Sequence, residues 1–206
     1  AGRQAPNLPI SLTKVVPLLD LDADAARWVK QQLTRAGYYT GKIDGIVNDA
    51  MLSAFKAFKT AFFLEGMDTI GPDTIPVLSS LQPPSDKPDI MLSKHFRLSE
   101  MIFSETAARE GIDNYPADAN VIENLKALCK HVLEPVRDRF QTPITPSSGY
   151  RGPALNAVIG GSTTSQHMVG EAVDFMVPGV PIPEVCRWIN NYLEFDQLIL
   201  EYYEPS

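Results

Sequence analysis

A histidine and an aspartate seven positions apart are the pair in this sequence best suited to metal chemistry. They lie in SQHMVGEAVDF, residues 165–175, where His167 precedes Gly170 and Asp174 stands among apolar residues. A carboxylate in such surroundings is costly to bury unless it is paired or binds a cation. An imidazole nitrogen and a carboxylate oxygen both bind zinc at about 2.0–2.2 Å. His167 and Asp174 are therefore candidate ligands of one zinc ion.

The spacing alone leaves two interpretations of this pair open. Alternation predicts a strand with Asp174 on one face and the apolar Val173 and Phe175 on the other. A tight turn at Gly170 would bring His167 beside that strand. The pair could then hold a metal, or it could form a buried His–Asp hydrogen bond without one.

The elements that would position this pair predict an α+β domain. A short β segment, PITP, precedes the pair, and the alternating run FDQLILEYY predicts a later strand. Helices are expected over residues 118–140, 153–158 and 181–192. This mixture indicates a small antiparallel sheet covered by helices.

The longest of these helices has a clear apolar stripe. It is expected to start after its N-cap Asp118 and to kink at Pro135. At about 100° per residue, His131 projects away from the stripe, so a solvated surface position is expected for it. The predicted buried stripe consists of Val121, Leu125, Leu128, Val132 and Val136.

The first part of the chain predicts a small domain of three helices. The first helix is expected to begin at the N-cap Asp24, the second at Asn48 or Asp49, and a short third helix after Pro72. The second helix carries an apolar stripe typical of a core-facing helix. Its members are Met51, Phe55, Phe58 and Phe62.

Shifts in composition divide the chain into four segments. Residues 1–22 mix prolines with short apolar runs and are predicted to form an N-terminal arm, followed by the three-helix domain over 23–78. Residues 79–90, SSLQPPSDKPDI, have the composition of a linker. The α+β domain then occupies residues 91–206.

Charge and hydropathy exclude two classes of partner. The formal net charge is −7 at pH 7, with a pI near 4.9. Nucleic-acid binding needs clustered Lys and Arg, and since no basic run is present we expect no nucleic-acid partner. No apolar run approaches the roughly 20 residues that span a bilayer, and the first residues lack the plan of a signal peptide, so no membrane insertion is expected.

The sequence around the His–Asp pair resembles a known family. Residues 148–175, SGYRGPALNAVIGGSTTSQHMVGEAVDF, are similar to the zinc D-alanyl-D-alanine carboxypeptidases, most closely the phage and bacterial branch with SGYR-x-P-x-LN and S-x-H-x-x-G-x-A-x-D-F motifs. The upstream HFRLSEMIFSETAAREGIDN and the downstream FDQLILE also resemble that branch. The resemblance covers about residues 92–201 and implies a zinc-peptidase domain.

The resemblance implies roles for individual residues. His167 and Asp174 match the first two zinc ligands. Arg151 matches an arginine that contacts a carboxylate or carbonyl oxygen of the substrate, and a salt bridge that fixes the loop is the alternative role. Ser165 and Gln166 flank the ligand and would contact substrate, although Ser165 could equally be a turn residue.

Two further expectations concern the end of the chain. Glu201 matches a carboxylate that takes a proton from water and delivers it to the leaving amine, and an exposed strand-end glutamate is the alternative. The third zinc ligand is expected in a W-x-H element soon after Glu201, whereas the sequence ends at Ser206. Either the C-terminal end of the domain is incomplete here, which the missing initiator methionine favours, or the metal site has been lost.

The first domain has a resemblance of its own. Residues 28–78 are similar to the three-helix peptidoglycan-binding domain through a G-Y-Y turn, an I-D-G motif and an A-x-x-x-F helix. In that turn, Tyr38 and Tyr39 could stack on sugar or peptide, or could pack the turn itself.

Together the two resemblances predict a zinc-dependent peptidase that cuts peptide stems of bacterial peptidoglycan. It would be a phage lysin or a virion-associated wall hydrolase, found on the virion or at the extracellular envelope of a bacterial host, with peptidoglycan and other virion proteins as partners. A wall-binding domain tethered to a wall peptidase raises the local substrate concentration. The alternative is a non-catalytic structural or attachment protein of a virion.

Overall fold

The computed structural model describes residues 13–200 and has an α+β fold. The chain forms two compact units, Ala1–Pro88 and Asp89–Ser206, and the boundary between them falls inside the stretch 79–90. Among residues 13–200, none of the helices has the length and apolar character needed to cross a bilayer.

Within residues 13–88, the N-terminal unit contains three α-helices and one two-stranded ladder. The helices are α1 (Ala23–Arg35), α2 (Asp49–Ala61) and α3 (Thr74–Ser80). Strand β1 (Val16–Pro17) pairs antiparallel with β2 (Thr69–Ile70). The described part of the predicted arm, residues 13–22, therefore packs onto this unit, and Leu18 lies in its core.

Side chains fix where the first two helices begin. Asn48 accepts a hydrogen bond from the Met51 N–H at the start of α2. Of the two residues predicted to cap this helix, Asn48 and Asp49, the N-cap is therefore Asn48. The cap predicted at Asp24 is wrong, because the extended residue Asp22 accepts from the Ala25 N–H instead. Asp24 lies in the first helical turn and pairs with Arg27 at 2.7 Å. The predicted stripe of α2 is core, with Phe62 at its edge.

Within residues 89–200, the C-terminal unit contains six α-helices and one small sheet. The helices are α4 (Leu98–Ile102), α5 (Glu105–Glu110), α6 (Ala119–Leu128), α7 (Glu134–Phe140), α8 (Pro153–Val158) and α9 (Ile182–Tyr192). Strands β3 (Thr145–Ser148) and β4 (Asp174–Met176) pair antiparallel. A bulge between Pro146 and Ser148 sets Ser148 opposite Asp174, which brings the loop after β3 next to the predicted ligand.

The long predicted helix is interrupted by one turn of π-helix. Asp118 caps α6 as expected, and Cys129–Leu133 form the π turn that leads into α7. The Glu134 N–H donates to the Cys129 carbonyl, five residues back, just before Pro135, which has no N–H to give.

The wider turn changes which residues face the core. The buried stripe is Val121, Leu125, Cys129, Leu133 and Val136. Leu128 and Val132, predicted in that stripe, are only partly buried, and of the two Leu128 packs against the core. Successive steps of four residues would drift around an α-helix, and the π turn keeps Cys129 and Leu133 on the core side. His131 is exposed, as expected.

The strand predicted in FDQLILEYY does not appear in the described part of that run. Residues 195–200 form no strand, and residues 201–203 lie outside the described chain. Leu198 packs against the core, while Ile199 is largely exposed. Alternation alone does not make a strand, because a strand also needs a partner edge, and within residues 89–200 the sheet is limited to β3 and β4.

Candidate metal centre

The structure brings His167 and Asp174 together. His167 lies in a single turn of 3-10 helix, Gln166–Val169, that ends at Gly170 with φ of 77°, a left-handed conformation that glycine favours. The chain then returns so that Asp174 opens β4. The His167 Nε2 atom is 3.5 Å from Asp174 Oδ1.

This separation fits two ligands of one metal ion. Two atoms bound at about 2.0–2.1 Å and at a tetrahedral angle lie roughly 3.3 Å apart. His167 Nδ1 is 2.7 Å from the Gly149 carbonyl, which can only accept, so Nδ1 carries the proton. The lone pair of Nε2 is then free to bind a cation, which is the usual arrangement of a metal-binding histidine.

The carboxylate of Asp174 is also in a state that can bind a metal ion. When Nε2 carries a proton instead of a cation, its hydrogen bond to Asp174 is the largest of the causes that hold the pKa of that carboxyl below its ordinary value, and nearby charge from Arg151 and a hydrogen bond from Ser148 act in the same direction against the effect of burial. Asp174 therefore stays ionised at neutral pH, and its side chain remains 42% exposed. An ionised, accessible carboxylate is the form that binds a metal.

Arg151 lies beside this pair on the loop between β3 and α8. Its Nη2 atom is 3.8 Å from Asp174 Oδ2, beyond hydrogen-bond distance. Within the described chain its Nε atom is buried without an acceptor. The salt-bridge role left open by the sequence is thus weak, and the guanidinium can still bind an anionic or carbonyl oxygen.

Glycine and asparagine shape the two loops that carry the site. A Cβ atom at Gly149 would collide with the Met101 carbonyl, so only glycine lets this loop approach α4 and aim its own carbonyl at His167. Asn156 of α8 donates to the Ser162 carbonyl at 2.9 Å and folds the loop that precedes His167. Sequence reasoning missed both anchors, although Gly149 lies inside the quoted SGYR motif.

A family model described as Peptidase M15 matches residues 94–204, more than half of the chain. The chain belongs to the peptidase M15 family. This is a family of metallopeptidases, generally zinc-dependent, that act on peptidoglycan-like substrates. A comparison with curated proteins found no match. The family match spans the His–Asp pair and Arg151, so the site described above lies in the peptidase domain.

In this M15 chain, no third side chain joins His167 and Asp174 among residues 13–200. No group of three His, Cys, Asp or Glu side chains converges in that part of the chain. His95 is bound through Nδ1 to Glu134 at 2.7 Å, and His131 is exposed on the long helix. Glu201, the predicted proton carrier, lies outside the described residues.

The remaining predicted site residues lie in two places. Gln166 is exposed directly before His167, and Ser165 is half-buried, with its carbonyl accepting the Met168 N–H in the turn. In the N-terminal unit, Tyr39 is only 3% exposed and its hydroxyl donates to the Lys42 carbonyl, so its burial favours turn packing over contact with a ligand. Tyr38 is half-buried.

Proposed function

We propose that this chain is a zinc-dependent peptidase that hydrolyses the stem peptides of bacterial peptidoglycan. The observation that carries the proposal is the His167–Asp174 pair, 3.5 Å apart, with the second imidazole nitrogen held by a carbonyl. Membership of the M15 family supports both the peptidase chemistry and the substrate class.

The side chains divide the work of such a reaction. His167 and Asp174 would hold the ion, and zinc supplies a Lewis acid that polarises a carbonyl and acidifies water. Arg151 binds and orients a substrate oxygen through its charged, planar fork. Gln166 and Ser165 flank the ligand and contact the peptide, and Glu201 carries the proton to the leaving amine.

Catalytic zinc in proteins usually has three protein ligands and one open position. This mechanism therefore requires a third ligand from outside residues 13–200.

The N-terminal unit is proposed to bind the cell wall. Its three short helices and GYYTGKIDG turn support this role, and Tyr38, which keeps part of its ring exposed, is the proposed contact residue. Tethering a peptidase to the wall concentrates its substrate. We further propose that the protein is a phage lysin or virion-associated hydrolase acting at the bacterial envelope, where other virion proteins would be its partners.

A second candidate function is non-catalytic attachment of a virion to the wall. The observation that favours it is the absence of a third metal ligand among the described residues. Such a protein would bind sacculi without releasing peptides from them.

The two functions are separated by assaying the full chain on purified sacculi with its metal content measured. The peptidase predicts bound zinc and release of peptides, with about a 100-fold or greater loss of release in His167→Ala. His131→Ala, which changes an exposed histidine on the long helix, is the matched control and should retain full activity. Release that survives both a chelator and His167→Ala would refute the zinc mechanism, and binding without release would support attachment.

A further inference from the structure

Asn114 is a buried polar residue that bonds to the backbone on both sides of Arg151. It is 7% exposed, and its Nδ2 atom donates to the Tyr150 carbonyl at 3.0 Å. Its Oδ1 atom accepts from the Gly152 N–H at 2.8 Å. Nδ2 also donates to the Ile102 carbonyl at 2.8 Å, which anchors the amide to the end of α4.

These bonds determine the backbone conformation of Arg151. The Tyr150 carbonyl belongs to the planar peptide unit before Arg151, and the Gly152 N–H belongs to the unit after it. Holding both planes fixes the two backbone dihedrals of Arg151, and with them the direction of its Cα–Cβ bond. The Arg151 N–H completes the arrangement by donating to the His167 carbonyl at 3.1 Å.

The side chain of Arg151 has little else to orient it. Its Nη2 atom lies 3.8 Å from the Asp174 carboxylate, too far for a hydrogen bond, and its Nε atom has no acceptor among the described residues. The backbone of Arg151 therefore sets the direction in which its side chain leaves the loop, and few polar contacts of the guanidinium add to this.

We propose that Asn114 is a positioning residue that acts through Arg151 to align the substrate. The inference rests on the proposed peptidase function, in which Arg151 binds a substrate oxygen. Asn114 has no hydrogen bond to the His167 or Asp174 side chains, so its loss affects substrate binding while the two ligands of the metal keep their contacts.

A double-mutant cycle between Asn114→Ala and Arg151→Ala tests this role. In the wild-type background, Asn114→Ala should lower kcat/KM about 10- to 100-fold, mainly through KM, with zinc content unchanged. In the Arg151→Ala background the same substitution should change kcat/KM less than about twofold, because its target is already gone. Asn120→Ala, an exposed asparagine at the start of α6, is the control and should be neutral.

Equal losses in the two backgrounds, or an undiminished kcat/KM in folded Asn114→Ala, would overturn the inference. If the alanine variant does not fold, Asn114→Asp replaces it in the same cycle, since it keeps the acceptor for Gly152 and lacks both donors.

A wild-type protein that releases no peptide would refute the proposed function instead. The inference is then judged by NMR relaxation of the Arg151 Nε–H group, which should be rigid in the wild type and mobile in the variant, and equal rigidity in both would contradict it.

Discussion

At the scale of single residues, the two nitrogens of His167 have separate tasks. The Nδ1–H group donates a hydrogen bond to the Gly149 carbonyl, and Nε2 faces Asp174. The histidine, the aspartate and Arg151 could be recognised from the sequence because their motifs are local. Asn114 could not, because its bonds to the Arg151 loop span 36 and 38 positions and depend on how α4 meets that loop.

Glu134 gives a prediction for the pH dependence of stability. Its carboxylate accepts from the Ser93 hydroxyl at 2.5 Å and from the His95 N–H at 2.8 Å, and it pairs with His95 Nδ1 at 2.7 Å. Burial raises the pKa of Glu134, but these hydrogen bonds outweigh it and hold the pKa below its ordinary value. Its ionised form thus stabilises the fold at neutral pH, and that contribution is lost as pH falls through the depressed folded-state pKa.

We therefore expect Glu134→Gln to lower the free energy of unfolding by about 1–3 kcal/mol near neutral pH. The difference in free energy of unfolding between variant and wild type should shrink as the pH falls from about 5 towards 3. Urea unfolding at several pH values measures both effects. Glu123→Gln, which changes an exposed partner of Lys126, should cost less than about 0.5 kcal/mol. A difference in unfolding free energy between Glu134→Gln and wild type that does not change with pH would contradict this account.

At the scale of elements, the π turn in the long helix determines which side chains fill the core. Cys129 and Leu133 are fully buried, whereas Leu128 and Val132 are only partly buried. A stripe assigned on α-helical spacing alone would choose the second pair. The π turn therefore has a measurable consequence for stability.

Leu133→Ala should lower the free energy of unfolding by about 2–4 kcal/mol, because it leaves a cavity in the core of the peptidase unit. Val132→Ala, the adjacent residue, is the matched control and should cost less than about 1.5 kcal/mol. Chemical denaturation of the two variants measures the difference. A larger loss at Val132 than at Leu133 would show that the helix continues without the π turn.

The elements also show what a sequence pattern can predict. The caps at Asn48 and Asp118 follow from short polar side chains placed before apolar stripes, and both were expected. Asp22 and Asp24 are equivalent candidates by residue type, and only the backbone conformation chooses between them. The π turn depends on a backbone hydrogen bond that spans five residues, and a strand over residues 195–200 would need a partner edge. Apolar spacing encodes neither.

At the scale of the whole molecule, each unit has its own hydrophobic core. The N-terminal core includes Phe55, Phe58 and Leu33, and the peptidase core includes Phe96 and Leu125. Two separate cores permit the division of labour that we propose, in which one unit binds the wall and the other cuts it.

Removing residues 1–88 should therefore affect wall and soluble substrates differently. Turnover of insoluble sacculi is expected to fall about tenfold or more, because the tether no longer concentrates the substrate. Hydrolysis of a soluble stem peptide should change less than about twofold under the same account. Parallel assays on the two substrates measure the ratio, and an equal loss on both would indicate that the N-terminal unit supports folding instead of wall binding.

The most direct test of the central claim is mass spectrometry of the products that the zinc-loaded full-length protein releases from sacculi. We predict that each cleavage adds one water across an amide of the stem peptide, so that one product carries a new carboxylate and the other a new amine while the glycan stays intact. His167→Ala should give no such products, and His131→Ala should give them at the wild-type level. Intact stem peptides after prolonged incubation, or cleavage confined to the glycan, would contradict the claim that this M15 protein is a peptidoglycan peptidase.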